Sequence, residues 1–176
     1  TTGKVTATLA AGEAADIADA LADNQVNAIN VTVNGTTADA EDLLAIKDST
    51  SGKITVTAKE VSGSFDELKE LYVTSKGKFT ALGDENVTID PASKVSAADA
   101  NIIAKAVNGK VTATSIEADT AAALVASLKD AKATDALTLK VNGESAKASE
   151  LNVLDGKTSG TVTVDGAVVI SGNIAD

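Results

Sequence analysis

Apolar residues recur along this chain with two alternating periods. Runs in which every second residue is apolar occur at Lys4–Leu9, Ile29–Val33, Lys53–Ala58, Lys78–Leu82, Lys110–Ser115, Ala136–Val141 and Gly160–Val164. In these runs Val5, Ala7 and Leu9 stand against Thr6 and Thr8, Ile54 and Val56 against Thr55 and Thr57, and Val162 and Val164 against Thr161 and Thr163. Such alternation predicts strands with one face in a core and one face in water. Between them the spacing changes to that of a helix. Ala14, Ile17 and Leu21 form one face of Glu13–Asp23, with Glu13, Asp16, Asp19 and Asp23 opposite. Further faces are Ala40, Leu43 and Leu44; Phe65, Leu68 and Tyr72; Ile102, Ile103 and Ala106; Ala121, Leu124 and Leu128; and Ala148, Leu151 and Leu154. Ser64 with Glu67, and Ser96 with Asp99, are spaced as capping boxes at two helix starts.

The elements repeat. Gly3-Lys4-Val5-Thr6-Ala7-Thr8 returns as Gly109-Lys110-Val111-Thr112-Ala113-Thr114, Val33-Asn34-Gly35 as Val141-Asn142-Gly143, and Thr50-Ser51-Gly52 as Thr158-Ser159-Gly160. The chain thus divides into a first block (1–52), a divergent middle block (53–109), a third block (110–160) and terminal strands (161–176), together one repeat array. Averaged over the strand-like runs, the β-α unit is about 26 residues long. This arithmetic predicts an α/β fold of parallel strands with short connections. Because one strand face is wet, the pattern favours an open solenoid with helices on one side of a parallel sheet. A two-layer or doubly wound α/β arrangement is the alternative, and the doubly wound form calls for continuously apolar strands. In the middle block, Lys78–Leu82, the Gly83-Asp84-Glu85-Asn86 turn and Val87–Ile89 read as a hairpin. The three aromatic residues, Phe65, Tyr72 and Phe79, all fall nearby, where they either fill a locally repacked core or form a partner patch.

Composition narrows the chemistry. Fifteen lysines and no arginine face 25 acidic residues, for a net charge of −10, which excludes nucleic acid as an expected partner. Without His or Cys, zinc centres, Ser-His-Asp and Cys-His catalysis and disulfides are excluded. No apolar run is long enough for a membrane span, no leader pattern is present, and a chain opening at Thr1 without Met reads as mature or excised material.

The segment Ser145-Ala146-Lys147-Ala148-Ser149-Glu150-Leu151-Asn152-Val153-Leu154-Asp155-Gly156-Lys157-Thr158-Ser159-Gly160-Thr161-Val162 carries a Ser/Thr-Ala-x-x-Leu-Asn-x-Leu-Asp-x-x-Thr-x-Gly-x-Val phrase. It resembles the Ala/Thr/Asp-rich repeats of very large secreted bacterial surface proteins of S-layer-like, adhesin-like or RTX-type. In the first block Leu43-Leu44-Ala45-Ile46-Lys47 stands in place of the Leu-Asn-x-Leu-Asp part, and the middle block departs further. The resemblance implies an extracellular, cell-surface, structural setting and supplies no catalytic residue.

Three kinds of candidate site remain. Paired carboxylates can serve a glycosidase, but here the acids recur on polar helix faces, so the expectation is a non-enzyme. Calcium is the metal that an all-oxygen donor set suits; Asp84, Glu85 and Asp90 around one turn, and Asp155 and Asp165 at two Asp-Gly turns, are its candidate ligands, although Asp-Gly is also an ordinary turn pair. No other cofactor is expected. Thr6, Thr32, Thr55, Thr80, Thr112, Thr138 and Thr163 recur at nearly the strand period and would form an exposed ladder. Thr rows resemble ice-binding faces, yet Thr is also simply favoured on exposed strands.

The expected function is a structural module of a surface layer, sheath, filament or giant adhesin that self-associates through strand edges. Val5, Ala7 and Leu9 at one end and Val168, Val169 and Ile170 at the other are the candidate interface, with another copy or neighbouring repeats of a longer chain as partner. A ligand- or carbohydrate-binding adhesin segment, with or without calcium, is the alternative.

Overall fold

The computed structural model describes residues 6–22 and 26–172, and the fold is α/β with parallel sheets. The chain divides into two compact units, Thr1–Thr88 and Ile89–Asp176.

In the first unit, β1 (Thr6–Thr8), β2 (Ala28–Val33), β4 (Ile54–Val56) and β6 (Phe79–Thr80) lie in that order in one parallel sheet. A second row holds β3 (Thr37–Asp39), β5 (Glu60–Gly63) and β7 (Asn86–Ile89). Helices α1 (Ala14–Leu21), α2 (Ala40–Ser49) and α3 (Phe65–Lys69) separate them, with α2 packed between α1 and α3. Each passage of the chain lays down a strand in the first sheet, turns a corner, adds a short strand in the second and returns through a helix. The second unit follows the same plan: α4 (Ala97–Ala106), β8 (Val111–Ala113), α5 (Ala121–Ser127), β9 (Ala136–Leu137), β10 (Leu139–Val141), β11 (Ser145–Lys147), α6 (Ala148–Asp155), β12 (Val162–Val164) and β13 (Val169–Ser171). There β8 pairs with β9, β10 with β12 and β11 with β13, all parallel.

Partnered strands are offset by 22 to 25 residues, from Thr6 beside Ala28 to Ile54 beside Phe79, with Val33 beside Val56 and Leu139 beside Val162 between these limits. The sequence average of about 26 is longer because the step from Phe79 to Val111 was counted with the rest. Each period also holds a strand that the pattern did not announce. In β3 and β11 a single alanine points inward (Ala38, Ala146), and in β5 Val61 is joined only by Gly63, too few side chains for an alternation to be read.

Side-chain burial follows the strand alternation. Val31, Val33, Ile54, Val56, Val111, Leu137, Leu139 and Val141 are buried, while Thr32, Thr55, Thr112 and Thr138 between them are half-buried. The α1 face Ala14, Ile17 and Leu21 and the α5 face Ala121, Leu124 and Leu128 are buried as the spacing predicts. In α2 the buried set is Ala40, Leu43 and Ile46, and Leu44 sits half-buried at the rim. Phe65, Ile102, Ala106, Ala148 and Leu151 are likewise only half-buried, whereas Leu68, Tyr72, Ile103 and Leu154 are buried. Both capping boxes form: Ser64 accepts from Glu67 N at 3.4 Å and Ser96 from Asp99 N at 3.2 Å. Asp23 lies outside the described residues.

The middle-block hairpin is not formed. β6 pairs in parallel with β4, placing Phe79 beside Ile54, whereas Asn86 at the start of β7 donates to the Lys59 carbonyl beside β5. The intervening turn, with Ala81 at φ 61° and Gly83 at φ 120°, carries the chain from one sheet to the other and does not reverse it. Tyr72 and Phe79 fill the core beneath this turn, and Phe65 sits at its rim with the Lys69 ammonium 5.6 Å from its ring centre.

Candidate functional site: strand edges, corners and the Thr face

The repeated tripeptides sit at the corners. Asn34-Gly35 and Asn142-Gly143 make the turn between the two sheets, with the glycines at φ +116° and +99°, a region that other residues enter only with strain. Asn34 N donates to the Gly12 carbonyl and Asn142 N to that of Asp119, each at 2.9 Å.

Thr50-Ser51-Gly52 and Thr158-Ser159-Gly160 make the corner from helix to strand, and both do so with one hydrogen-bond set. Thr158 is buried, and its Oγ1 accepts from Leu137 N and Gly160 N, both at 2.8 Å. The same hydroxyl lies 2.9 Å from the carbonyls of Asp135 and of Leu137, to which it can donate its proton. Thr50 repeats this: it accepts from Ile29 N and Gly52 N at 3.0 Å and donates toward the Ile29 and Asn27 carbonyls. A hydroxyl from one coil thereby satisfies the N–H that the preceding coil leaves unpaired where its ladder breaks. Glycine follows because the backbones meet here: a Cβ on Gly52 would lie 2.1 Å from the Ile29 carbonyl oxygen, and one on Gly160 2.3 Å from that of Leu137.

Asp135 performs the same service with a carboxylate. Fully buried, it accepts from Val111 N at 2.9 Å and Lys132 N at 2.8 Å. The Lys132 ammonium donates to the carbonyls of Val107, Asn108 and Gly109 just beyond α4. Sequence reading missed both residues, because a single buried Asp or Lys leaves no periodic trace.

The Thr ladder is continuous over part of its length. Thr32 lies beside Thr55 and Thr55 beside Thr80. Elsewhere the register carries other residues into the row: Thr6 faces Ala28, Thr112 faces Ala136 and Thr163 faces Lys140, while Thr138 N donates to the Ala113 carbonyl.

The acidic candidates are dispersed. Among the described residues no group of three or more acidic side chains gathers where it could hold a metal ion. Glu85 is turned inward, accepting from the Tyr72 hydroxyl and, at 3.0 Å, from Gly83 N. Burial first, and the Glu85 carboxylate second, push the Tyr72 phenol well above its usual range. Asp90 and Asp165 accept from Ala92 N and Ala167 N in local turns. The Asp155 carbonyl accepts from Thr158 N, and Asp84 also has interactions of its own.

At the edges, β1 is hydrogen-bonded only to β2, β12 only to β10 and β13 only to β11 among the described residues. Ala7 is exposed and Leu9 half-buried; Val5 lies outside the described residues. Val168 is half-buried, while Val169 and Ile170 are 67% and 56% exposed.

The described residues form an α/β fold with parallel sheets, held at several corners by these hydrogen bonds. Family models, curated proteins and solved structures offer no match to it. No helix among the described residues is long and apolar enough to cross a membrane.

Proposed function

We propose that the chain is a non-catalytic structural module of an extracellular, cell-surface assembly: an open solenoid that joins head to tail, through its strand edges, with further copies or with neighbouring repeats of a longer chain. The observation that carries this reading is that β1 in the first unit and β12 and β13 in the second each pair on one side only among the described residues, with Val169 and Ile170 exposed. An edge strand presents unpaired N–H and C=O groups that template a further strand. Here neither edge carries the Pro or inward charge that commonly blunts one. Because the joined edges differ, the contact is heterologous and propagates without closing as a dimer. The corner latches support the same reading, since Thr50, Asp135 and Thr158 each supply a hydroxyl or carboxylate to the preceding strand segment, as stacking repeats do. The likeness of the third block to surface-protein repeats supports the extracellular setting.

Size-exclusion chromatography with light scattering, followed by negative-stain microscopy, tests the proposal on the wild type and on Val169→Lys. Filaments or sheets are expected from the wild type, and folded monomers from the variant. A wild type that stays monomeric at all concentrations overturns self-assembly.

A further inference from the structure

The step from β4 to β6 is where the first unit departs from its period. After α3 the helix widens into a π-turn, Glu70–Thr74, and then a 3-10 turn, Lys76–Lys78, before β6 begins. Such widened turns insert a residue at some cost in hydrogen-bond geometry and concentrate at functional sites. This one is anchored from behind, where Leu71 and Tyr72 are buried and the Tyr72 hydroxyl reaches Glu85.

In front of it a cavity of about 420 Å³ opens, lined by Val26, Lys47, Asp48, Ser51, Ser75 and Lys78 among others. That volume lies within the range of small-ligand sites. In a chain with ten more acidic than basic residues, two ammonium groups, Lys47 and Lys78, and one carboxylate, Asp48, line this concavity. Lys47 is held 3.4 Å from both Asp48 and Glu70, and the Glu70 carboxylate is fixed in turn by the Ser75 hydroxyl at 2.6 Å. That hydroxyl bond, and then the Lys47 ammonium, hold the Glu70 carboxyl below the usual carboxylate range. Lys78, by contrast, is exposed and makes no ion pair among the described residues, so its charge is available. Val26, 61% exposed, adds an apolar wall beside these polar groups.

We infer that this cavity binds a single anionic sugar unit of the uronic-acid class. Its carboxylate would pair with Lys78, its hydroxyls would meet Ser51 and Ser75, and its ring face would lie on Val26. A neutral sugar would leave the Lys78 charge unused, and a bare carboxylate would leave the hydroxyls and Val26 unused. The inference does not depend on self-assembly.

Amide chemical-shift titrations of the full chain with sodium glucuronate, glucose and acetate test it, on the wild type and on Lys78→Gln. Expected are saturable shifts confined to residues around Ser51, Gly52, Ser75 and Lys78 with glucuronate, and much smaller ones with glucose or acetate. Lys78→Gln, at an exposed position, should stay folded and weaken glucuronate by about tenfold, the scale of one charge-assisted hydrogen bond. Equal shifts with acetate reduce the site to an adventitious carboxylate contact. Equal shifts with glucose, an unaltered Lys78→Gln, or no localised shifts in the millimolar range also overturn the inference.

Discussion

Replacing Thr158 with Val keeps the shape of the side chain and removes its hydroxyl. Leu137 N, which is buried, and Gly160 N, which is partly so, then lose their shared acceptor, each at 2.8 Å. The Asp135 carbonyl retains the Ser159 N–H at 2.7 Å and so remains partnered. An unsatisfied buried donor costs about 1–3 kcal/mol, so the two together should cost about 2–4 kcal/mol, the more accessible one falling at the low end. Thr158→Ser keeps the acceptor and should cost about 1 kcal/mol, the worth of the lost methyl. Thr112→Val, on the half-exposed outer face of β8, should stay within about 0.5 kcal/mol of wild type. Urea unfolding followed by circular dichroism reads all three as shifts in midpoint at constant slope. If Thr158→Val costs no more than Thr112→Val, the corner hydroxyl is not a latch between coils and the reasoning fails.

Other outcomes follow from burial and charge. Leu43→Ala and Leu124→Ala, both at fully buried positions, should each cost about 2–4 kcal/mol in the same assay, while Thr112→Ala should cost little; equal losses would mean that the Thr face is buried. Burial first, then Asp39 and Asp19, hold the Asp42 carboxyl above its usual range. A group of this kind favours the fold while protonated and opposes it once pH rises through the raised value, so the melting point of Asp42→Asn relative to wild type should climb from acid to neutral pH, and a pH-independent difference would refute this. Millimolar calcium should leave the melting midpoint unchanged, because Glu85 is committed to Tyr72 and Gly83 and no three acidic groups converge among the described residues. A clear rise would restore the Asp84–Asp90 turn, Asp155 or Asp165 as ligands.

Where a pattern spans several residues, it was legible before any coordinates. The α1 and α5 faces, both capping boxes and the apolar-in, Thr-out strands all rest on spacings repeated within one element. Short or solitary features were not. β3 and β11 each bury one alanine among polar neighbours, so nothing alternates. Ile46 displaced Leu44 from the α2 core because it falls three positions after Leu43, on the same face. Gly83–Asn86 has hairpin chemistry, but Glu85 folds inward to Tyr72, a contact across 13 residues that no local rule encodes. Of the corner latches, the Thr-Ser-Gly pair was visible as a repeat with no stated purpose, and its purpose lies in the preceding coil, 21 residues away. The cavity was hidden for the same reason, since Lys47, Asp48 and Lys78 line it together only through the fold.

Head-to-tail growth can be read directly because the chain contains no cysteine. β1 sets Thr8 beside Asn30, and the β10–β12 register, which sets Leu139 beside Val162, brings Thr161 next to Thr138, the third-block counterpart of Asn30. One further coil in the same register would place Thr161 of one copy beside Thr8 of the next. Adjacent strands lie about 4.8 Å apart, within disulfide reach, and both threonines are exposed. A Thr8→Cys, Thr161→Cys double variant, oxidised at assembling concentration and run without reductant, should give a ladder of dimers, trimers and longer chains, whereas each single variant should stop at dimers at most. A double variant that remains monomeric, or that gives only dimers, would contradict end-to-end stacking of the strand edges.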